Sequence, residues 1–351
     1  MAVLQRVGHE AAGNRAATTA WSVAAAASTD QLPQLLAAID NASPLGANYL
    51  CAAIDAVAER AAAAGHPLPR DALEQYVLDT RHGPRSRRLA YEWLAQIDAT
   101  APQRLIAGFL NDPSLELRRE AVAGLIDEGN RLIETMKPLQ RDEGIALLRR
   151  AFDAARDVDQ IEKLDQHLTK LDQTIDLARH FGFITTWRLL GPFDNRDKTG
   201  FDVVYPPEQT IDFAAHYAGK YRELTWHRYT TADRQGKVDL NEALGKDMGC
   251  AAYAAAEFYS PREQAVELRW GSPNATKLWL NQRAVARYPV YHTGTSIDKY
   301  QARAMLQPGR NTILLKICQN EQTQSWAQVW EFQLRVCDTI GTAILSTGGG
   351  P

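Results

Sequence analysis

The sequence predicts two domains of different class: an all-α solenoid of short helices, then an all-β sandwich or jelly roll. Three observations carry this reading. Up to about residue 183 the chain is rich in Ala, Leu, Arg, Asp and Glu, with apolar residues spaced by three and four. That first block holds an internal repeat of about 31 residues. Beyond it Trp, Tyr, Val, Gly and Pro become frequent, and short apolar runs are parted by turn residues with no helical period between them. Helices and strands in segregated blocks argue against an alternating α/β fold. The expected domains are therefore 1–183, helical, and 184–344, all-β, with 345–351 as a flexible tail. The change-over is placed at 181–186, where Phe181-Gly182-Phe183 leaves the last helix.

Within the helical block, 72–94 aligns with 104–125. In each copy a short apolar helix ends in a polar turn holding Pro84 or Pro113. A second helix then opens with an arginine pair, Arg87-Arg88 or Arg118-Arg119, followed by Ala90 or Ala121. Leu32 to Ala58 is a fainter third copy, with Pro44 in its turn and the stripe Ala52-Ala53-Ile54. Helical hairpins of this size cannot bury their apolar faces alone and must stack. Residues 139–180 read as two capping helices, with apolar positions Ile145, Leu148, Phe152, Ile161, Leu164, Leu168 and Leu171. The carrying residues Asp112-Pro113, Leu117-Arg118 and Ala121 through Leu125 resemble HEAT-like repeats over roughly residues 30–130.

The second block opens with WRLLGPFDN (187–195), an apolar strand broken at Gly191-Pro192. Strand runs follow at 251–259, 265–270, 276–280, 283–287, 300–306, 312–318 and 327–337. Asn281-Gln282 reads as a hairpin turn and Pro308-Gly309 as another. The last two runs read as a hairpin turning near Thr323. That register sets Cys318 opposite about Glu331 and disfavours a bridge to Cys337. All four cysteines, Cys51, Cys250, Cys318 and Cys337, are expected to be buried free thiols.

Three segments of this block, W-x-L-L-G-P-F, V-E-L-R-W-G-S-P-N-A-T-K-L-W-L-N-Q and L-x-P-G-R-N-T-I-L-L-K-I, resemble galactose-binding-like β-sandwich modules of bacterial exported proteins. Such modules occur beside glycosidase and sugar-binding regions. Taken whole, the chain resembles largely uncharacterised planctomycete-type proteins in which a HEAT-like solenoid precedes such a jelly-roll or galactose-binding-like β-sandwich. The group implies no established activity.

The formal charge is −3; residues 1–183 hold 20 basic and 25 acidic side chains, and 184–351 hold 19 and 17. Neither half has the basic excess of a nucleic-acid-binding domain. No run approaches the 18 or so apolar residues of a membrane span. Arg6, His9, Glu10 and Arg15 interrupt the opening before any signal-peptide core, so the literal chain reads as cytoplasmic. The resemblance implies an extracytoplasmic protein whose start is truncated.

No HExxH, nucleophile elbow, Walker or dinucleotide motif occurs, and Gly348 to Gly350 sit in a terminal tail. No cofactor is expected, and the eight histidines never fall at zinc-ligand spacing. In the related calcium-dependent sugar-binding sandwiches an acidic pair precedes the strand that here reads TKLWLN. Ser272-Pro273-Asn274 stands there instead, and offers calcium only neutral oxygens. The arginines at 81–88 read as ion pairs between stacked repeats. Trp187, Trp279 and Trp330 read as core.

Trp326 closes the polar loop Gln319-Asn320-Glu321-Gln322-Thr323-Gln324-Ser325, where an indole could stack on a sugar while amides bind its hydroxyls. A self-satisfied polar loop is the alternative. Asp194-Asn195 and Tyr291-His292-Thr293-Gly294 are candidates to join it. The ligand-binding candidates are thus Asp194, Asn195, His292, Asn320, Glu321, Gln322 and Trp326, with no catalytic residue and no metal ligand. The reading is a non-catalytic binding and scaffolding protein, its solenoid for protein contact and its sandwich for carbohydrate or protein. The alternative is an enzyme or accessory subunit of a polysaccharide-degrading system, with a cryptic carboxylate site between the domains.

Overall fold

A computed structural model describes residues 1–8 and 13–348; His9, Glu10 and the tail end 349–351 lie outside them. The chain divides into two compact units, Met1–Gln173 and Thr174–Pro351.

The first unit is helical. Helices Arg70–Leu78 and Pro84–Ile97 form one hairpin. Helix Ala101–Leu105, prolonged by a 3-10 turn Ile106–Asn111, and helix Leu115–Glu134 form the next. These are the two copies of the repeat. Proline opens helices Pro44–Ala63, Pro84–Ile97 and Pro138–Ala154, where its missing N–H is not needed. Ser43 and Ser114 cap two helix starts by accepting the amides of Gly46 and Leu117. Leu73, Val77, Ala90, Leu94, Leu117 and Ala121 fill the core, and Ile145, Leu148, Phe152, Ile161, Leu164 and Leu168 are buried on the last two long helices, while Leu171 is only half-buried.

The repeat arginines hold successive hairpins together. Buried Arg87 makes a bidentate pair with Asp112, both contacts at 2.7 Å, and donates to the Val77 carbonyl. Arg118, also buried, donates to the main-chain oxygen of the same Asp112 at 2.9 Å. Arg88 pairs with Glu92 and Glu120, and Arg119 with Asp159. In the fainter copy, Asp40 accepts the Gly83 amide and the Ser86 hydroxyl.

The second unit holds twelve strands among the described residues. They are β1 Thr186–Asp194, β2 Tyr217–Ala218, β3 Glu223–Leu224, β4 His227–Thr230, β5 Val238–Asp239 and β6 Cys250–Ser260, then β7 Gln264–Gly271, β8 Ala275–Leu280, β9 Arg283–Tyr288, β10 Tyr300–Leu306, β11 Gly309–Cys318 and β12 Glu331–Cys337. They form a six-stranded antiparallel sheet, β4-β1-β6-β11-β8-β9, and a four-stranded one, β10-β7-β12-β5, with β2 and β3 as a separate pair. Alternate residues from both sheets share one core: Leu189, Ala254, Leu278 and Leu315 from the first, Leu268, Trp270, Phe332 and Leu334 from the second. Asn281 and Gln282 take positive φ in the β8–β9 turn, as a tight hairpin requires. The strand broken at Gly191-Pro192 on sequence grounds runs through to Asp194 with a register shift between Leu190 and Phe193.

One expected pairing is corrected. Strands β11 and β12 form no hairpin, because β11 pairs with β6 and β8 in one sheet while β12 pairs with β7 and β5 in the other. The segment between them carries the chain across the core, held by buried Trp330, whose indole N–H donates to the Ile317 carbonyl at 3.3 Å. The cysteines are free, but Cys51 is only half-buried; the other three are buried. Helix Leu177–Phe181 belongs with the sheets: Arg335 of β12 donates to the Phe181 carbonyl, and Phe183 bridges to Arg335. The unit boundary therefore precedes the compositional change. In the expected tail, Ser346 and Thr347 hydrogen-bond to the main chain of Tyr259.

The outer face of the six-stranded sheet carries a second apolar layer. Leu190, Tyr253, Trp279, Leu314 and Cys318 point outward there and are covered by Phe201, Tyr217, Leu224 and Trp226. That cover buries Trp279, which by strict alternation faces away from Leu278 and Leu280.

Candidate functional site

Three loops meet at one end of the sheets. The first follows β1, where the Asp194 carboxylate accepts both the Arg196 guanidinium and the Arg196 amide. The guanidinium holds the Asp194 carboxyl below the usual carboxylate range. The chain then turns through Asp197 and Lys198 at positive φ. Gly200 permits this tight return, because a Cβ there would lie 2.0 Å from the Asp194 carbonyl oxygen. The second loop, between β9 and β10, presents Tyr291 and His292, the latter at φ 58°. The third leaves β11 at Gln319, makes a 3-10 turn at Ser325–Ala327 and enters β12. Ala327 and Trp330 anchor it inward, and Trp326, immediately before Ala327, is 62% exposed.

Asn195, buried, joins all three. Its side-chain amide donates to the Gln319 carbonyl at 2.7 Å and to the Tyr291 hydroxyl at 3.3 Å. The Asp197 amide donates to Glu321 Oε1 at 2.6 Å, tying the first loop to the third. The His292 ring meets the Trp326 indole edge-to-face at 5.3 Å between centroids, tying the second to the third. Lys198 Nζ stands 5.2 Å over the Tyr291 ring. Burial pushes the Tyr291 phenol well above its usual range, so it stays protonated.

The structure thus brings Asn195, His292, Glu321 and Trp326 together. Asn320 is buried and used structurally, its carbonyl accepting the Gly249 amide. Asp194 is engaged by Arg196, and Gln322 is exposed with its amide on Asn320 Oδ1. Tyr291 and Gln319 complete the cluster, and Gly249 shapes it: at φ 60°, a Cβ there would reach 2.8 Å from Glu321 Cγ. No sequence signal distinguishes Gly249.

Three buried polar atoms of the cluster lack a hydrogen-bond partner: Asn195 Oδ1, His292 Nε2 and Gln319 Oε1. Buried polar groups are ordinarily paired, and each orphan costs about 1–3 kcal/mol. Of these three residues Gln319 also lines a cavity of about 410 Å³, with Ser325, Gln328, Asp239, Asp247 and Glu331 among others. Two of these carboxylates have partners: Glu331 Oε1 accepts the Thr295 hydroxyl at 2.8 Å, and Asp239 Oδ1 accepts the amides of Asn241 and Glu242. The side-chain oxygens at the position of the calcium-binding acidic pair are engaged within the chain, Ser272 donating to the Glu331 carbonyl and Asn274 Oδ1 accepting the Glu331 amide. Among the described residues no group of three or more His, Cys, Asp or Glu could hold a metal ion. No helix there is long and apolar enough to cross a membrane.

No protein-family model matches the chain, and no curated protein matches it. Among solved structures it is similar to a beta-glucosidase from Kluyveromyces marxianus in complex with glucose, at TM-score 0.27 and 10% identity over 43% of this chain and 16% of that one. The selenomethionine form of the enzyme gives TM-score 0.28 and 9% identity, over 87% and 38%. An alpha-xylosidase from Xanthomonas citri gives TM-score 0.22 and 10% identity, over 44% and 17%. The chain spans well under two thirds of the length of each.

Proposed function

We propose that the chain is a non-catalytic binding and scaffolding protein whose sheet unit is a galactose-binding-like β-sandwich that recognises carbohydrate through this loop end. The HEAT-like helical unit stacks as a solenoid and offers a surface for protein contact. One observation carries the carbohydrate reading: the exposed Trp326 indole packs against His292, whose Nε2 is one of three unpartnered buried polar atoms contributed by the three separate loops. A sugar presents an apolar face for stacking and hydroxyls that donate to such atoms. Asp194, Glu321 and Glu331 are already engaged by a cation, an amide or a hydroxyl, which favours recognition over acid–base chemistry. The test is a glycan array and polysaccharide pull-down with the full chain. Saturable binding to a glycan class supports the reading. Recovery of a specific protein partner with no glycan bound would replace carbohydrate by protein as the ligand.

A further inference from the structure

A second polar surface lies on the outer face of the six-stranded sheet, six residues back along β1 from Asp194, about 20 Å away at strand spacing. Arg188 of β1 stands directly opposite Arg228 of β4 in the antiparallel register. Both are exposed, and neither has an ion-pair partner among the described residues. Like charges directly opposite each other on one sheet face are destabilising. The neighbouring position on this face is a matched polar pair, Thr186 and Thr230, hydroxyls 3.0 Å apart.

The two guanidinium groups border a cavity of about 500 Å³ whose floor includes Ala255 and whose walls include Phe213, Thr186 and Tyr259. Ala255 pairs with Arg188 in register, so the floor beside the arginine is a methyl group, which leaves the space open. Arg188 is steadied over the Phe213 ring at 4.5 Å. The single carboxylate in the lining, Glu257, is held by Arg310 at 3.0 Å. Two cations without ion-pair partners among the described residues, lining one concave space from adjacent strands, match the charge and forked geometry of an oxyanion.

We propose that Arg188 and Arg228 form an oxyanion-binding site on the sheet face, taking a carboxylate, sulfate or phosphate group of a ligand seated over Ala255. The site is independent of the Trp326 loops. The bound anion relieves the repulsion that the pair imposes on the empty protein.

The test uses the full chain with Arg188→Gln and Arg228→Gln. Two probes, sodium sulfate and a galacturonate oligosaccharide, are titrated calorimetrically against sodium chloride of matched ionic strength. Wild type should bind saturably and each variant about tenfold or more weakly, as loss of one charge-assisted contact implies. Galacturonate binding tighter than sulfate assigns the anion to an acidic saccharide; equal binding assigns a general oxyanion site. In low salt without ligand both variants should melt above wild type, and the sulfate-induced rise in Tm should be larger in wild type. General salting-out by sulfate cancels in that comparison. No saturable binding of either probe, or binding and Tm responses unchanged in both variants, overturns the proposal.

Discussion

Lys316 Nζ, in a residue with no solvent exposure, donates to Glu208 Oε1 at 2.7 Å, and the Tyr253 hydroxyl donates to the same oxygen. Nζ also donates to the carbonyls of Phe201 at 3.3 Å and Val203 at 2.8 Å. The lysine projects from the outer face of β11, opposite Tyr253 of β6 and Lys277 of β8. A single buried cation therefore pins the segment that covers Trp279. Burial lowers the pKa of this amine, and the nearby Cys318 and Glu208 oppose that shift.

Replacing Lys316 by Met should therefore cost about 3–5 kcal/mol, because Glu208 is left as a buried charge without its partner. The double variant Lys316→Met with Glu208→Gln should recover a large part of that loss, since no uncompensated charge remains. Urea denaturation of the single and double variants measures both. A single variant as stable as wild type would show that the covering segment is held by its apolar contacts alone.

The helical unit has its own sensitive point at Leu117, which is fully buried one residue before Arg118. Leu117→Asp places a lone carboxylate in an apolar core, at a cost of several kcal/mol. Loss of helicity and a lowered melting temperature are the expected outcome. Unchanged helicity would mean that the hairpin can rotate to expose the position.

Acid stability should depend on Asp298. Burial pushes its carboxyl up, but Arg335 at 2.5 and 2.7 Å and Arg269 at 3.0 Å outweigh this and hold it below the usual range. A depressed carboxylate contributes stability above its unfolded pKa of about 3.9, and that contribution disappears as pH falls through the lower folded value. Asp298→Asn keeps the residue's positive φ accessible but leaves buried Arg335 without its counter-charge. The loss should be about 3 kcal/mol at neutral pH. The gap between wild type and variant should narrow below about pH 4 as wild type loses the same charge. Denaturation midpoints across that range read it directly.

The hairpins of the helical unit were legible because the repeat preserves its structural parts: Pro84 and Pro113 at the turns, and arginines whose partners prove to be acids such as Asp112. The strand runs were legible from alternation. The pairing of β11 with β12 was misread because sequence neighbours pair by default, whereas this connection crosses between sheets under Trp330. Two-sided burial of β8 could not be read locally. Its cover, Phe201 to Trp226, is assembled from short irregular pieces held by Lys316 and Glu208, with no periodicity to announce them. The loop residues of the candidate site were visible as polar segments between strands. Their convergence was not, because it depends on strand order and on contacts such as Asn195 with Gln319 that span distant parts of the chain.

The two tryptophans on either side of that limit give the last prediction. Trp279 is 7% exposed, packed on the outer face of β8 beneath the covering segment, so Trp279→Ala removes a buried indole. Such a truncation costs about 3–5 kcal/mol. Trp326 is mostly in solvent and touches the His292 ring by its edge. Trp326→Ala should therefore leave the melting temperature close to wild type, within the about 0.5 kcal/mol typical of surface substitutions. It should also remove the platform on which a sugar would stack, weakening glycan binding about tenfold, the order of one aromatic contact's contribution. Paired thermal melts and glycan titrations separate the roles. A Trp326→Ala protein that melts as wild type and binds glycan undiminished would move the carbohydrate site away from this loop. A Trp279→Ala protein that keeps its stability but loses binding would place it on the outer face of the sheet.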